Sequence, residues 1–434
     1  MKNLKLLLVV IDGMGDLPTP KLGGKTPLEY ANKPNIDALA ERGQKGIMYT
    51  VKKGIAPESH SGVISVIGYD PFTYTASRGV LEAVGAGMRF EDGDLALRCN
   101  FVTLAEGMNI DDRRAGRDLT TEEALELAKE INKEVKLECH PTEFEFRSTI
   151  GYRGILIIRS KTTKLSEDIT GTDPAYGTEN GVTIAKTEFK MVVEESKPLD
   201  KKESSKISAA LINEFTQKSR IVMEKSRVNA RRLSEGKMKA NGLLMRDAGT
   251  HLPKFPDINR RFHLRFASLV NMPVEKGIVK LTGMKGIEIP LPSDDLGKDC
   301  ELMLDKLSKH LQQFDVFYAH IKGPDEPGHD GDCKKKARLY EIIDAHFFGN
   351  LLKKMDLSNI ILCIAADHAT PCVVKGHTDD PVPILITGGR VKADGVKGFS
   401  ETICEKGGLG CLKQGSDLMP KLISILKKEG ENTS

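Results

Sequence analysis

Apolar residues are concentrated in four runs of strand length, and polar residues do not alternate with them. The runs cover residues 4–11, 314–321, 359–365 and 383–387. A strand without alternation is buried on both faces, which is typical of a parallel sheet covered by helices. Helical patterns occupy residues 34–43, 301–313 and 337–354. This order of strands and helices predicts an α/β fold with a mostly parallel sheet flanked by helices.

The middle of the chain has a different pattern. Thr120-Thr-Glu-Glu123 has the form of a capping box and predicts the start of an amphipathic helix that runs through Val135. Two short runs typical of strands follow at 144–149 and 154–158, and residues 207–236 form one long helical pattern. A helix and strands in so short a stretch predict a small α+β domain inserted into the larger one.

We place this insert at residues 110–190 and expect it to act as a substrate-binding domain or lid. Residues 1–109 and 191–434 then form the core domain. A chain of 434 residues is long enough for two domains.

Composition and charge narrow the range of partners. The chain has 64 basic and 61 acidic residues, a formal net charge of +3. This balance argues against nucleic acid or a membrane surface as partner. The longest apolar runs are too short to span a membrane. The 8 cysteines show no CxxC spacing, which is typical of reduced thiols and predicts a cytoplasmic protein.

Several carboxylates and imidazoles follow directly after the predicted strands or lie in the loop before the last one. They are Asp12, Asp325, His329, Asp367, His368 and His377. Open α/β sheets bind ligands at the edge where their strands end, so these side chains are expected to converge. Each alone also fits a helix cap or a loop. Together they predict a catalytic site for two divalent ions, since oxygen and nitrogen donors suit manganese, zinc or magnesium.

A two-metal site that transfers a phosphoryl group needs a nucleophile. Ser59 and Ser61 lie in Ala56-Pro-Glu-Ser-His-Ser-Gly62, a segment bounded by proline and glycine. A hydroxyl there could be activated by a metal ion without a general-base triad. A helix N-cap is the alternative role for either serine, and spacing alone does not choose between them.

The order of these motifs resembles a known family. The sequence contains Asp12-Gly-Met-Gly, then Ala-Pro-Glu-Ser59, then Lys-Gly-Pro-Asp325-Glu-Pro-Gly-His329, and finally Ala-Asp367-His368 with Gly-His377-Thr. This order is similar to that of the archaeal cofactor-independent phosphoglycerate mutases, which belong to the alkaline phosphatase superfamily. The resemblance extends over nearly the whole chain.

The resemblance implies an alkaline-phosphatase-like fold and an isomerase that interconverts 3-phosphoglycerate and 2-phosphoglycerate through a phosphoserine. It implies that Ser59 is the nucleophile and also a metal ligand. The implied cofactors are two divalent ions, with manganese preferred over zinc, magnesium or cobalt, and no 2,3-bisphosphoglycerate. The implied ligand sets are Asp325, His329 and His377 for one ion, and Asp12, Asp367 and His368 for the other.

The family also implies a set of cationic residues that bind a small phosphorylated substrate. Asp111-Asp-Arg113-Arg-Ala-Gly-Arg117 resembles a family motif, and the segment from Val228 to Arg246 resembles another. Arginine binds phosphate and carboxylate with two parallel hydrogen bonds. The implied substrate-binding residues are Arg113, Arg117, Arg232, Arg246 and Lys276. Solvated charge is the alternative for each arginine, and a homo-oligomer is compatible with all of this.

Two departures from the family keep other activities open. His60 follows Ser59 where the family usually has an acidic residue, and Asp247 follows Arg246 where it has glycine. A phosphatase, a phosphopentomutase-like enzyme or a homoserine kinase would use the same metal and serine positions. An inert paralogue that only binds ligand is the alternative from outside the enzymes.

Overall fold

The fold is described from a computed structural model covering residues 4–179, 182–186 and 188–431. It divides into two compact units, one formed by Met1–Thr75 with Lys254–Ser434 and the other by Ala76–Pro253. Among the described residues, no helix has both the length and the apolar character needed to cross a membrane.

The strands are numbered along the whole chain. They are β1 (Lys5–Ile11), β2 (Gln44–Met48), β3 (Leu95–Leu104), β4 (Ile110–Asp112), β5 (Thr142–Ser148), β6 (Arg153–Ser160), β7 (Tyr176–Glu179), β8 (Val182–Ala185), β9 (Gly242–Gly249), β10 (Phe266–Leu269), β11 (Lys285–Gly286), β12 (Val316–Ile321), β13 (Ile360–Ala365), β14 (Val382–Gly388) and β15 (Gly410–Leu412).

The helices are numbered in the same way. They are α1 (Pro27–Tyr30), α2 (Pro34–Glu41), α3 (Ser59–Val66), α4 (Arg78–Gly85), α5 (Thr121–Glu134), α6 (Glu203–Glu224), α7 (Arg227–Ser234), α8 (Ile258–Phe262), α9 (Pro273–Thr282), α10 (Leu296–His310), α11 (Asp325–Asp330), α12 (Cys333–Ile343), α13 (Gly349–Lys354), α14 (Glu401–Cys404) and α15 (Leu418–Glu431).

The first unit is built on an eight-stranded sheet with the order β11-β10-β12-β1-β13-β14-β2-β15. Only β14 runs against its neighbours, pairing antiparallel with both β13 and β2. The prediction of a mostly parallel sheet flanked by helices is therefore confirmed. β1, β12 and β13 are buried along their whole length, as their unbroken apolar runs require.

The second unit contains an antiparallel sheet in the order β4-β3-β6-β5, with β9 also paired to β3. Helices α5 and α6 contribute Leu127, Ile131, Leu211 and Phe215 to its core. The capping box predicted at the start of α5 is present, with Thr120 and Glu123 bonded reciprocally. Another prediction was wrong, because residues 207–236 are not one helix. α6 ends at Glu224, and Ser226 caps α7 by accepting a hydrogen bond from the backbone N–H of Val228.

This unit is wider than the insert predicted at 110–190. β3 and β9 both lie outside those bounds, and they pair with each other in the middle of the sheet. All ten residues of β3 are buried, and apolar and polar residues alternate only over Leu97–Phe101, so the sequence carries just a short signal of an antiparallel strand. The compact unit instead runs from Ala76 to Pro253.

Candidate active site

The ends of three neighbouring strands carry the predicted acidic residues of the first unit. Asp12 follows β1, Asp367 follows β13, and Asp325 is the first residue of α11 after β12. Hydrogen bonds join these ends, because Asp12 N–H donates to the Ile321 carbonyl at 3.0 Å and Gly13 N–H donates to the Asp367 side chain, at Oδ1, at 3.1 Å. The antiparallel direction of β14 explains why His377, in the loop before this strand, lies at the same edge. Its N-terminal end lies at the same edge, so the loop before it brings His377 there.

Two groups of potential metal ligands lie at this edge, each with its donor atoms within 4.8 Å of one another. The groups are Asp325, His368 and His377, and Asp12, His320 and Asp367. His368 lies close to both, since its Nε2 is 3.4 Å from Asp12 Oδ1 and 3.3 Å from Asp367 Oδ2. Its ring also stacks on that of His377 at 3.8 Å.

His329 and His377 are both oriented towards Asp325. Nδ1 of His377 lies 2.8 Å from Pro57 O, and Nδ1 of His329 lies 3.2 Å from Lys375 O. A carbonyl oxygen only accepts, so each Nδ1 donates, and in the neutral ring each Nε2 keeps its lone pair for a metal ion. Both Nε2 atoms lie 3.5 Å from the Asp325 carboxylate. The structure therefore brings together all six residues that the sequence singled out as ligands.

Several of these potential metal-binding atoms are buried without a hydrogen-bond partner. Within the described part of the chain these include Asp12 Oδ1, Asp367 Oδ2, His320 Nε2 and His377 Nε2. A buried polar atom without a partner costs about 1–3 kcal/mol, so such a concentration indicates a site that binds a ligand. Carboxylate oxygens and neutral imidazole nitrogens fit divalent metal ions.

His320 is a member of this cluster that the sequence analysis did not single out. It lies in β12 and is 1% exposed, with Nδ1 3.1 Å from the Tyr318 hydroxyl. Burial lowers the pKa of His320 well below its usual range, and the Lys322 ammonium lowers it further. The signal in the sequence was an ionisable residue inside an otherwise apolar strand, which is costly unless it is partnered.

The carboxylates at this edge have strongly perturbed pKa values. Burial raises the pKa of Asp12, but the Lys322 ammonium, His368 and His320 together bring it well below its usual range. Burial and the neighbouring Asp12 charge raise the pKa of Asp367 well above its usual range. Such opposed shifts in adjacent groups are typical of functional sites.

Ser59 is the first residue of α3, and its Oγ lies 3.3 Å from His368 Nε2. The start of this helix packs tightly on the strand ends because residue 62 is glycine. A Cβ on Gly62 would lie 2.0 Å from the carbonyl oxygen of Asp367. Ser61 and His60 belong to the same first turn.

Two of the predicted substrate arginines meet in the second unit. Arg113 binds both carboxylate oxygens of Asp173, at 2.5 and 2.7 Å, and Arg246 Nη1 binds the same carboxylate at 2.9 Å. The Arg246 guanidinium also lies 3.9 Å from the ring centroid of Tyr176. Arg98, which the sequence analysis did not single out, pairs with Arg246 across β3 and β9. Burial lowers the pKa of Arg98 to about 10, with further contributions from neighbouring arginines that include Arg246.

Arg232 has a different environment from the one predicted for it. It is 0% exposed, and its guanidinium binds Glu123, Asp118 and the Met238 carbonyl. Every nitrogen of the guanidinium is bonded within the protein, which favours a structural role over the predicted binding of substrate. Arg117 is exposed, and Lys276 is partly exposed on α9 next to the buried Glu275.

Comparisons with known proteins were made for the whole chain. Residues 40–229 match the family model for 2,3-bisphosphoglycerate-independent phosphoglycerate mutase. A protein of that name from Aeropyrum pernix is 40% identical, with 98% of this chain and 100% of the relative covered. Another from Thermococcus kodakarensis is 37% identical, with 99% and 98% covered.

Solved structures agree with these relatives. A Pyrococcus horikoshii protein has a TM-score of 0.75 and 31% identity, covering 98% of this chain and 97% of its own. The cofactor-independent phosphoglycerate mutase from Thermoplasma acidophilum has a TM-score of 0.60 and 28% identity, covering 98% and 100%. The chain belongs to the family of 2,3-bisphosphoglycerate-independent phosphoglycerate mutases.

Proposed function

We propose that this protein interconverts 3-phosphoglycerate and 2-phosphoglycerate, with Ser59 as the residue that carries the phosphoryl group between the two positions. The observation that carries the proposal is the Ser59 hydroxyl beside His368, within the cluster of six ligands predicted from the sequence. Membership of the family supports the choice of substrate.

Two divalent ions, with manganese as the first candidate, would be held by Asp325, His329 and His377 and by Asp12, Asp367 and His368. Ser59 completes the second set, and His320 is an additional donor on the same side. Such ions supply positive charge that stabilises the phosphoryl oxygens and lowers the pKa of a coordinated hydroxyl.

The protein's own groups position the reaction. The bond from Ser59 Oγ to phosphorus forms as the bond from phosphorus to the 3-oxygen of the substrate breaks. The serine proton ends on that released oxygen. The same exchange in reverse places the phosphoryl group on the 2-oxygen, so no external phosphate donor is consumed. Positioning and electrostatic stabilisation supply most of the rate in such transfers.

We propose that Arg113 and Arg246 bind anionic groups of the substrate. Both are held in place by Asp173, which is 1% exposed, and Arg246 also packs against Tyr176. A guanidinium fixed in this way is preorganised to bind a carboxylate or phosphate. Arg113 lies within residues 110–190 and Arg246 does not, so we assign substrate binding to the wider unit Ala76–Pro253.

The test is conversion of 3-phosphoglycerate to 2-phosphoglycerate by the manganese-loaded protein without added 2,3-bisphosphoglycerate. Ser59→Ala should reduce turnover at least about a thousandfold while both ions still bind. Ser61→Ala is the matched control on the same turn of α3 and should retain turnover within about tenfold.

Three outcomes would contradict the proposal in different ways. Loss of turnover in Ser61→Ala, with Ser59→Ala active, would show that the nucleophile is misassigned. Release of inorganic phosphate without 2-phosphoglycerate would identify a phosphatase. Turnover that persists after complete removal of metal would contradict the two-metal site.

A further inference from the structure

One buried hydroxyl touches ligands from both sides of the metal cluster. Thr370 is 0% exposed and lies two residues after His368. Its Oγ1 donates to Asp325 Oδ1 at 2.7 Å, and His368 Nδ1 lies 2.9 Å from the same oxygen. Asp325 and His368 are proposed ligands of different metal ions, so the hydroxyl connects the two proposed ligand sets.

The number of protons decides the direction of these bonds. A threonine hydroxyl has a single proton, and an ionised carboxylate can only accept. Because Thr370 donates its proton in the hydrogen bond to Asp325, its oxygen can only accept from His368, which requires a proton on Nδ1 of His368. In the neutral ring Nε2 of His368 then keeps its lone pair, and this atom faces Ser59 Oγ at 3.3 Å and Asp367 Oδ2 at 3.3 Å.

From this geometry we propose that Thr370 is a positioning residue for the metal centre. Its hydroxyl fixes the tautomer and ring orientation of His368, and the same hydroxyl holds the Asp325 carboxylate. Partners of metal-ligating histidines and carboxylates orient the ligands and typically change metal affinity 10- to 100-fold when removed. The inference rests on the two-metal site proposed above.

The surroundings hold this hydroxyl in one place. Thr370 N–H donates to Gly15 O at 2.9 Å, and the buried Lys336 ammonium donates to Thr370 O at 2.8 Å. A Cβ on Gly13 would lie 2.8 Å from Thr370 Oγ1, and a Cβ on Gly328 would lie 2.5 Å from Thr370 O. Both glycines therefore make room for Thr370, and its β-branched side chain has few other rotamers.

Two substitutions distinguish the effect of the Thr370 hydroxyl from the effect of the side chain's shape. Thr370→Val replaces the hydroxyl by a methyl group of similar volume, whereas Thr370→Ser keeps the hydroxyl and removes the methyl. We expect Thr370→Val to bind Mn²⁺ about 10- to 100-fold more weakly, because both His368 and Asp325 lose their partner. Thr370→Ser should stay within about threefold of wild type. Binding is measured on the full chain by the electron paramagnetic resonance signal of free Mn²⁺, with circular dichroism as the check of folding.

The tautomer of His368 gives a second readout that does not depend on metal or activity. In metal-free protein labelled with ¹⁵N-histidine, wild type and Thr370→Ser should show His368 protonated at Nδ1. Thr370→Val should show a mixture or the Nε2-protonated form. The His368 signal is assigned from its loss in His368→Gln.

The outcomes separate this inference from the metal centre itself. Equal Mn²⁺ affinity and an unchanged tautomer in Thr370→Val, with wild type binding two ions, would overturn the role of Thr370 alone. Equal loss in the serine and valine variants would attribute the effect to packing and also overturn it. Failure of wild type to bind two ions would overturn the proposed centre and this inference with it.

Discussion

Replacing Arg232 should destabilise the protein without impairing the folded enzyme. Arg232 Nη1 donates to Glu123 at 2.7 Å, Nε donates to Met238 O at 2.7 Å, and Nη2 binds Asp118. Arg232→Met keeps most of the stem and removes every donor. Glu123 is 9% exposed in its side chain, and among the described residues its carboxylate then keeps one hydrogen bond, the capping bond from Thr120 N–H.

The size of the effect follows from these contacts. Removing one partner of a buried ion pair costs about 3–5 kcal/mol, because the other charge stays buried and unpaired. Asp118 is 44% exposed and can be solvated again, and Glu123 keeps one hydrogen bond. These two features place the expected loss near the lower end, at about 3 kcal/mol in the free energy of unfolding.

The assay is urea unfolding followed by far-ultraviolet circular dichroism, since the chain has no tryptophan. Arg231→Met is the matched control. Arg231 is the neighbouring residue on α7, 47% exposed, and its guanidinium lies 3.7 Å from the exposed Glu126. An exposed pair of this kind is worth at most about 1 kcal/mol. If Arg232→Met unfolds like Arg231→Met but loses about a hundredfold in kcat/KM, Arg232 binds substrate and the structural reasoning is wrong.

Two further predictions concern buried titratable groups. His320→Gln should weaken Mn²⁺ binding at least about tenfold by calorimetry, whereas His310→Gln on α10 should leave it unchanged; equal affinities would exclude His320 from the centre. Burial raises the pKa of Glu401 from 4.5 to about 7. Because the folded state then holds its proton more tightly than the unfolded state, this contribution to stability is lost as pH rises from about 5 to 8. The stability of wild type relative to Glu401→Gln should therefore fall over this range, by at most about 3 kcal/mol. A difference that stays constant with pH would contradict the raised pKa of Glu401.

The ligand cluster could be predicted from the sequence because it depends on topology. Apolar runs without alternation identified the parallel strands, and the edge where such strands end is shared. Asp12, Asp325 and Asp367 therefore had to converge once β1, β12 and β13 were recognised. Even His377, which precedes an antiparallel strand, lies at the same edge because β14 starts where its neighbours end.

The burial of Arg232 and the extent of the second unit depend on contacts between residues far apart in the sequence, and the periodicity of apolar residues does not reveal such contacts. The pattern of charges on α7 does not distinguish Arg232 from Arg231, although one is fully buried and the other is half-exposed. The true extent of the second unit depends on the pairing of β3 with β9, which lie more than a hundred residues apart. The break between α6 and α7 did have a local signal, the N-cap at Ser226.

The two oxygens of Asp12 have different partners, and this difference limits where a second ion can bind. Oδ2 lies 3.1 Å from the Lys322 ammonium, which also lies 2.5 Å from Glu275 Oε1. Oδ1 faces His368 at 3.4 Å and His320 at 3.9 Å. One ammonium can balance only one carboxylate, and a buried charge without compensation costs several kcal/mol. Burial and the neighbouring Asp12 charge raise the pKa of Asp367 well above its usual range. Lys322 occupies the Oδ2 side of Asp12, so we expect a divalent ion to bind on the Oδ1 side, where His368 and His320 lie.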